Sequence, residues 1–142
     1  HGMNEAELKA NPRLKRWFVQ DLNRDQKLSL DDASVDAVTI CVSVQYLQKP
    51  VEVFREVARV LKPGAPLIVS FSNRCFPTKA VAIWRAVYSQ GVYGHAQLVA
   101  SYMRRAGFDD FKAKSLCDGM TSDPMTVVAG RVPELSNGPS LF

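Results

Sequence analysis

Residues 36–74, DAVTICVSVQYLQKPVEVFREVARVLKPGAPLIVSFSNR, restrict the possible folds more than any other stretch. Two apolar runs, 36–44 and 66–72, are rich in β-branched residues and lack strict alternation, as suits parallel strands buried on both faces. Between them Val51, Phe54, Val57, Ala58 and Leu61 recur at helical spacing, while Glu52, Arg55, Glu56 and Arg59 fill the other side. Pro50 falls at the first helical position, where its missing N–H costs nothing. Lys62 favours the negative end of the helix dipole, and Pro63-Gly64 stops the helix. The pattern is a βαβ unit, whose crossover is expected to be right-handed. Open parallel sheets bind ligands beyond the carboxyl ends of their strands. The candidate site residues are therefore Ser43, Val44, Gln45 and Tyr46 after the first strand, and the stretch 72–76 after the second.

The chain has 142 residues, enough for one modest domain, and its 46% apolar and 23% charged residues are ordinary for a globular protein. A net charge of +4 is spread over interleaved acids and bases, without a basic run carrying aromatics, so no nucleic-acid surface is expected. No apolar run is long enough to span a membrane. Cys41, Cys75 and Cys117 fit no zinc spacing, and an odd number argues against a disulfide framework. Cys41, inside an apolar run, reads as a small core residue. A reducing compartment, cytoplasm or organelle stroma, fits this usage.

The remaining stretches read in order. Asn4 is placed to cap a short helix, EAELKA, with Glu7 at the capping-box position. Residues 17–20 form a short apolar run, expected to be a strand, and lead into Asp21-Leu22-Asn23, where Asp21 suits a turn. Residues 24–34 are polar and lack the glycine and terminal glutamate of a calcium loop, so no metal is expected there. Asn73 and Arg74 follow the second strand, where a fixed cation can meet an anionic substrate group. A helix over 78–88 would bury Ala80, Ile83, Trp84 and Val87. Residues 90–94 read as a glycine-containing loop. A helix over 95–106 follows, with His95 near its start and Gly107 just past its end. Two strands, 108–116 and 125–131, are joined at Asp118-Gly119 and should be antiparallel. Residues 133–142 read as a loose tail after a domain spanning 1–132.

The ordered set DAV…SVQYL, RVLKPGAP and SFSN resembles the fourth and fifth strands of class I S-adenosylmethionine-dependent methyltransferases, closest to the type-11 group, and the antiparallel ending agrees. The resemblance implies an α/β fold: part of a Rossmann-like sheet in three αβα layers, with a parallel βαβ core and an antiparallel C-terminal strand. It implies S-adenosylmethionine as cofactor. Asn4 would address its ribose, Asp21 and Leu22 its adenine, and Ser43, Val44, Gln45 and Tyr46 its methionine portion and methyl. Asn73 and Arg74 would sit towards a small-molecule substrate. No metal is implied, and no catalytic base is identifiable from the sequence.

The family's glycine-rich turn, which lets the backbone approach the cofactor closely, has no counterpart among the eight glycines. The chain thus resembles the C-terminal portion of the family. Without the first strand, residues 17–20 are expected to lack a neighbour, and the strand at 36–44 to present an open edge. Such an edge recruits a partner: a second copy or a missing N-terminal segment. Two functions follow, a methyltransferase, divergent or partial, and a cofactor-free interaction module or inactive product on the same fold. A nicotinamide-dependent oxidoreductase ranks below both, since it needs the same glycine fingerprint.

Overall fold

The computed structural model describes residues 1–117 and 119–134. One sheet contains β1 (Val38–Cys41), β2 (Pro66–Phe71), β3 (Asp109–Cys117) and β4 (Met125–Arg131), in the order β1-β2-β4-β3. β1 and β2 run parallel, from Val38 opposite Leu67 to Cys41 opposite Ser70. β4 is antiparallel to β2 and to β3. The parallel core with an antiparallel end is as expected. Asp118 of the expected turn, and the tail from residue 135, lie outside the described residues.

Helix α2 (Pro50–Val60) connects the parallel strands, with Pro50 in its first turn. Leu61 N–H closes its last turn on Val57 O at 3.1 Å. At Gly64 the chain takes φ 75°, a left-handed conformation that glycine adopts without a Cβ clash. The buried face is centred on Val53, Phe54, Val57 and Val60, whereas Val51 and Ala58 are only partly buried. The expected stripe is rotated because α4 (Gly91–Arg105) also covers this helix: Phe54 meets Tyr102 edge to face at 6.2 Å.

Helix α3 (Ala82–Ala86) is shorter than its sequence pattern, and a single 3-10 turn, Tyr88–Gln90, follows it. Trp84 is fully buried against Phe71, with ring centroids 5.3 Å apart, while Ile83 of the expected apolar face is half exposed. The expected loop at 90–94 is instead the first turn of α4. There Gly94 packs where a Cβ would fall 2.5 Å from Gln90 Cβ, so this glycine serves close packing, not flexibility.

The three helices share one core with Leu67, Val69, Phe71 and Val128 of the sheet. Of the expected αβα layers, the described residues supply the sheet and the helices over this face. On the other face Ile68, Ser70, Val127 and Ala129 are half buried, and Thr39 and Cys41 are exposed. The expectation that β1 is buried on both faces, with Cys41 in the core, is corrected. Among the described residues β1 has one neighbouring strand, and Cys41 points to the uncovered face.

The N-terminal third holds α1 (Glu5–Ala10), capped by Asn4. The strand expected at 17–20 contracts to a single parallel bridge between Gly2 and Val19. Gly2 N–H donates to Phe18 O at 3.4 Å, and Gln20 N–H to Gly2 O at 3.2 Å. Residues 17–20 therefore have a neighbour after all, supplied by the chain's first residues. Residues 24–35 are pinned to α2. The Glu56 carboxylate accepts from Leu28 N–H at 2.8 Å, Arg59 bridges Glu56 and Asp32, and Val35 bridges Leu61. Among the described residues no strand pairs with the outer edge of β1.

Candidate functional site

The chain leaves β1 through a strained residue. Val42, β-branched, takes φ 47°, a region costly for such a side chain. Its N–H donates to Ser70 O at 2.9 Å, and its carbonyl accepts from Gln45 Nε2 at 3.1 Å. One 3-10 turn, Val44–Tyr46, follows. Val44 and Gln45 point inward, 1% and 0% exposed, and support the turn from below. Gln45 O accepts from Val81 N–H at 3.0 Å, tying the turn to the segment before α3. Ser43 and Tyr46 are left facing a cavity of about 450 Å³.

Asp21 and Leu22 face them across this cavity, with His1 and Met3 from the chain's start and Lys79 from the segment before α3. Asp21 Oδ1 accepts from Asn23 N–H at 2.9 Å, so the turn role read from sequence is filled while the side chain also lines the cavity. Asn23 fixes the two walls to each other. Its Nδ2 donates to Tyr46 O at 3.0 Å, and its Oδ1 accepts from Gln48 N–H at 2.8 Å. Sequence reading had no means to assign Asn23 this role, because its partners lie 23 and 25 residues away. Lys79 was not among the sequence candidates, because nothing local distinguishes a lysine ahead of α3.

The other candidates lie elsewhere. Asn4 borders a separate shallow hollow, and its Oδ1 is engaged by Ala6 N–H and Glu7 N–H at 3.1 and 3.3 Å. Asn73 and Arg74 line a different hollow with Val92, Gly119 and Pro124. Arg74 Nε lies 2.6 Å from Asp123 Oδ1, so its charge is already partnered. Cys75 Sγ and Tyr88 Oη are 2.6 Å apart. That bond, then partial burial, pushes the Tyr88 phenol up to about 12. His95 is 2% exposed, bonded through Nε2 to Trp84 O and stacked on Trp84 at 4.2 Å, which makes it a core histidine. Among the described residues, no cluster of acids, cysteines and histidines is arranged to hold a metal ion, and no helix is long and apolar enough to cross a membrane.

Residues 3–69 match the family model described as a methyltransferase domain. No curated protein matches the chain significantly. Solved structures do, at low identity. An S-adenosylmethionine-dependent methyltransferase from Mesorhizobium loti is 15% identical with TM-score 0.60, the match covering 91% of this chain and 77% of that one. The complex of the Haloferax volcanii Trm112 methyltransferase activator with a putative methyltransferase gives 18% identity and TM-score 0.59, covering 83% and 61%. The [4+2]-cyclase SpnF gives 17% identity and TM-score 0.58, covering 83% and 57%. The chain thus spans less than two thirds of the length of these last two. The family model thus matches just under half of the chain, and the solved structures share its Rossmann-like α/β methyltransferase fold.

Proposed function

We propose that the cavity beyond β1 binds S-adenosylmethionine and that the chain, with its open edge completed, serves methyl transfer to a small-molecule acceptor. The observation that carries this reading is the convergence of Asp21, Leu22, Ser43 and Tyr46, from two distant stretches, on one cavity. The residues present suit the group. Asp21 offers a carboxylate to an exocyclic amine, Leu22 and Leu47 give apolar surface for a flat base, and Ser43 and Tyr46 add hydroxyls. When bound, S-adenosylmethionine supplies an electrophilic sulfonium methyl, so the protein's share is orientation and exclusion of water. Val44 and Gln45 act from beneath by holding the 3-10 turn, and Asn4 acts as a helix cap.

Titration with S-adenosylhomocysteine by calorimetry tests the reading. Micromolar binding is expected, weakened about tenfold by Asp21→Asn, which removes one charge-assisted bond. Asn retains an oxygen for Asn23 N–H, so this substitution spares the turn. A folded sample that binds nothing would sink the proposal.

A second reading, an interaction module without cofactor, is favoured by the outer edge of β1, which no strand among the described residues pairs. Fold likeness does not choose between them, for one neighbour is named as a cyclase and another as a complex with an activator protein. In either reading a strand added to β1, from a second copy or another segment, completes the sheet. A folded chain that associates but binds no nucleoside would favour the module.

A further inference from the structure

We infer that Tyr46 and Lys79 form an anion-binding rim on this cavity and take a carboxylate of the bound ligand, an inference that rests on the cavity's reading as a ligand site. Both residues line it. The Tyr46 hydroxyl oxygen accepts from Phe76 N–H at 3.1 Å. One lone pair is thus engaged, and the phenolic proton has no acceptor among the described residues, so it is available to a ligand. Lys79 Nζ sits 5.3 Å from the centroid of the Phe76 ring. Phe76 therefore ties the two donors together, its N–H to one and its ring to the other.

Among the described residues no carboxylate lies within ion-pair distance of Lys79. Arg74, the cation singled out from sequence, is by contrast matched with Asp123. Asp21, the one carboxylate on the cavity wall among the described residues, is engaged by Asn23 N–H at 2.9 Å and lies 3.7 Å from Arg24 Nε. The His1 ring, also on the wall, bonds Gln20 O through Nε2 at 2.8 Å. Among the described side chains on this wall, Lys79 is thus a cation with neither a carboxylate nor a carbonyl partner, linked through Phe76 to a hydroxyl with a proton to give. An ammonium and a hydroxyl lining one cavity suit a carboxylate. The carboxylate has two possible sources, the methionine portion of the cofactor or the methyl acceptor.

Binding to the full chain separates them. The probes are S-adenosylhomocysteine, methylthioadenosine (the same nucleoside thioether without the amino acid) and benzoate, each titrated against wild type, Lys79→Met and Lys79→Arg. Lys79→Met should weaken one carboxylate probe about tenfold, ~1.4 kcal/mol. Lys79→Arg should restore it, and methylthioadenosine should bind all three proteins equally. Loss confined to S-adenosylhomocysteine assigns the rim to the cofactor, and loss confined to benzoate assigns it to the acceptor. If Lys79→Met changes neither, or weakens methylthioadenosine equally, the inference is overturned. Failure of wild type to bind methylthioadenosine would count against the cofactor reading, while the benzoate series still decides the rim.

Discussion

At the scale of single residues, close packing and strain mark where the chain has no freedom. Gly94 looked like a loop glycine in sequence, yet it lies inside α4 with Val87 O 3.1 Å from the site of a Cβ. Gly94→Ala would gain helix propensity in isolation but must displace Gln90, whose Cβ is the nearest obstacle. We expect a net loss of about 1–3 kcal/mol in chemical denaturation. An unchanged or raised midpoint would show that the helix start can relax. Val42 is the opposite case: its left-handed backbone is held by Ser70 and Gln45, and no residue preference in the sequence signals it.

Among elements, the join between α2 and the polar stretch 24–34 is electrostatic. Glu56 is held below the usual carboxylate range by its hydrogen bond from Arg59, helped by Leu28 N–H and opposed by burial. A carboxylate with a depressed folded pKa stabilises fully above its unfolded value, near 4.5, and loses that contribution as pH falls through the lower folded value. Glu56→Gln should therefore cost about 1 kcal/mol near neutral pH. The gap from wild type should close on acidification below 4.5. Denaturation midpoints at a series of pH values would test this, and a gap independent of pH would refute it. The elements themselves were largely legible. The helices at 5–10 and 50–60 and the strand at 125–131 lie where capping residues, apolar period and turn signals put them. The helix expected at 78–88 was not, because its apolar count included Ile83, which the tertiary structure leaves half exposed.

For the whole molecule, the decisive feature is the outer edge of β1, which no strand among the described residues covers. β1 offers its outer backbone groups and the side chains of Thr39 and Cys41 beside a hollow of about 380 Å³ that His1 and Leu22 also border. Edge strands left bare in this way pair with other chains unless a charge is placed on them. Sedimentation of the wild-type chain should show concentration-dependent association, and Thr39→Lys should shift it to monomer with unchanged circular dichroism. A wild type that stays monomeric at high concentration would mean that the N-terminal third already shields the edge.

The sequence by itself determined the parallel βαβ core, its proline–glycine stop and the antiparallel ending. These follow from local periodicity and turn chemistry, which are written within ten or so residues. Only the tertiary structure decided which candidates meet. It put Asp21, Leu22, Ser43 and Tyr46 on one cavity and brought in Lys79. It turned Val44 and Gln45 inward, gave Asn4 to a helix cap and matched Arg74 with Asp123. Those outcomes depend on contacts between residues far apart in the chain, and on which neighbour a side chain finds first. No local pattern encodes either.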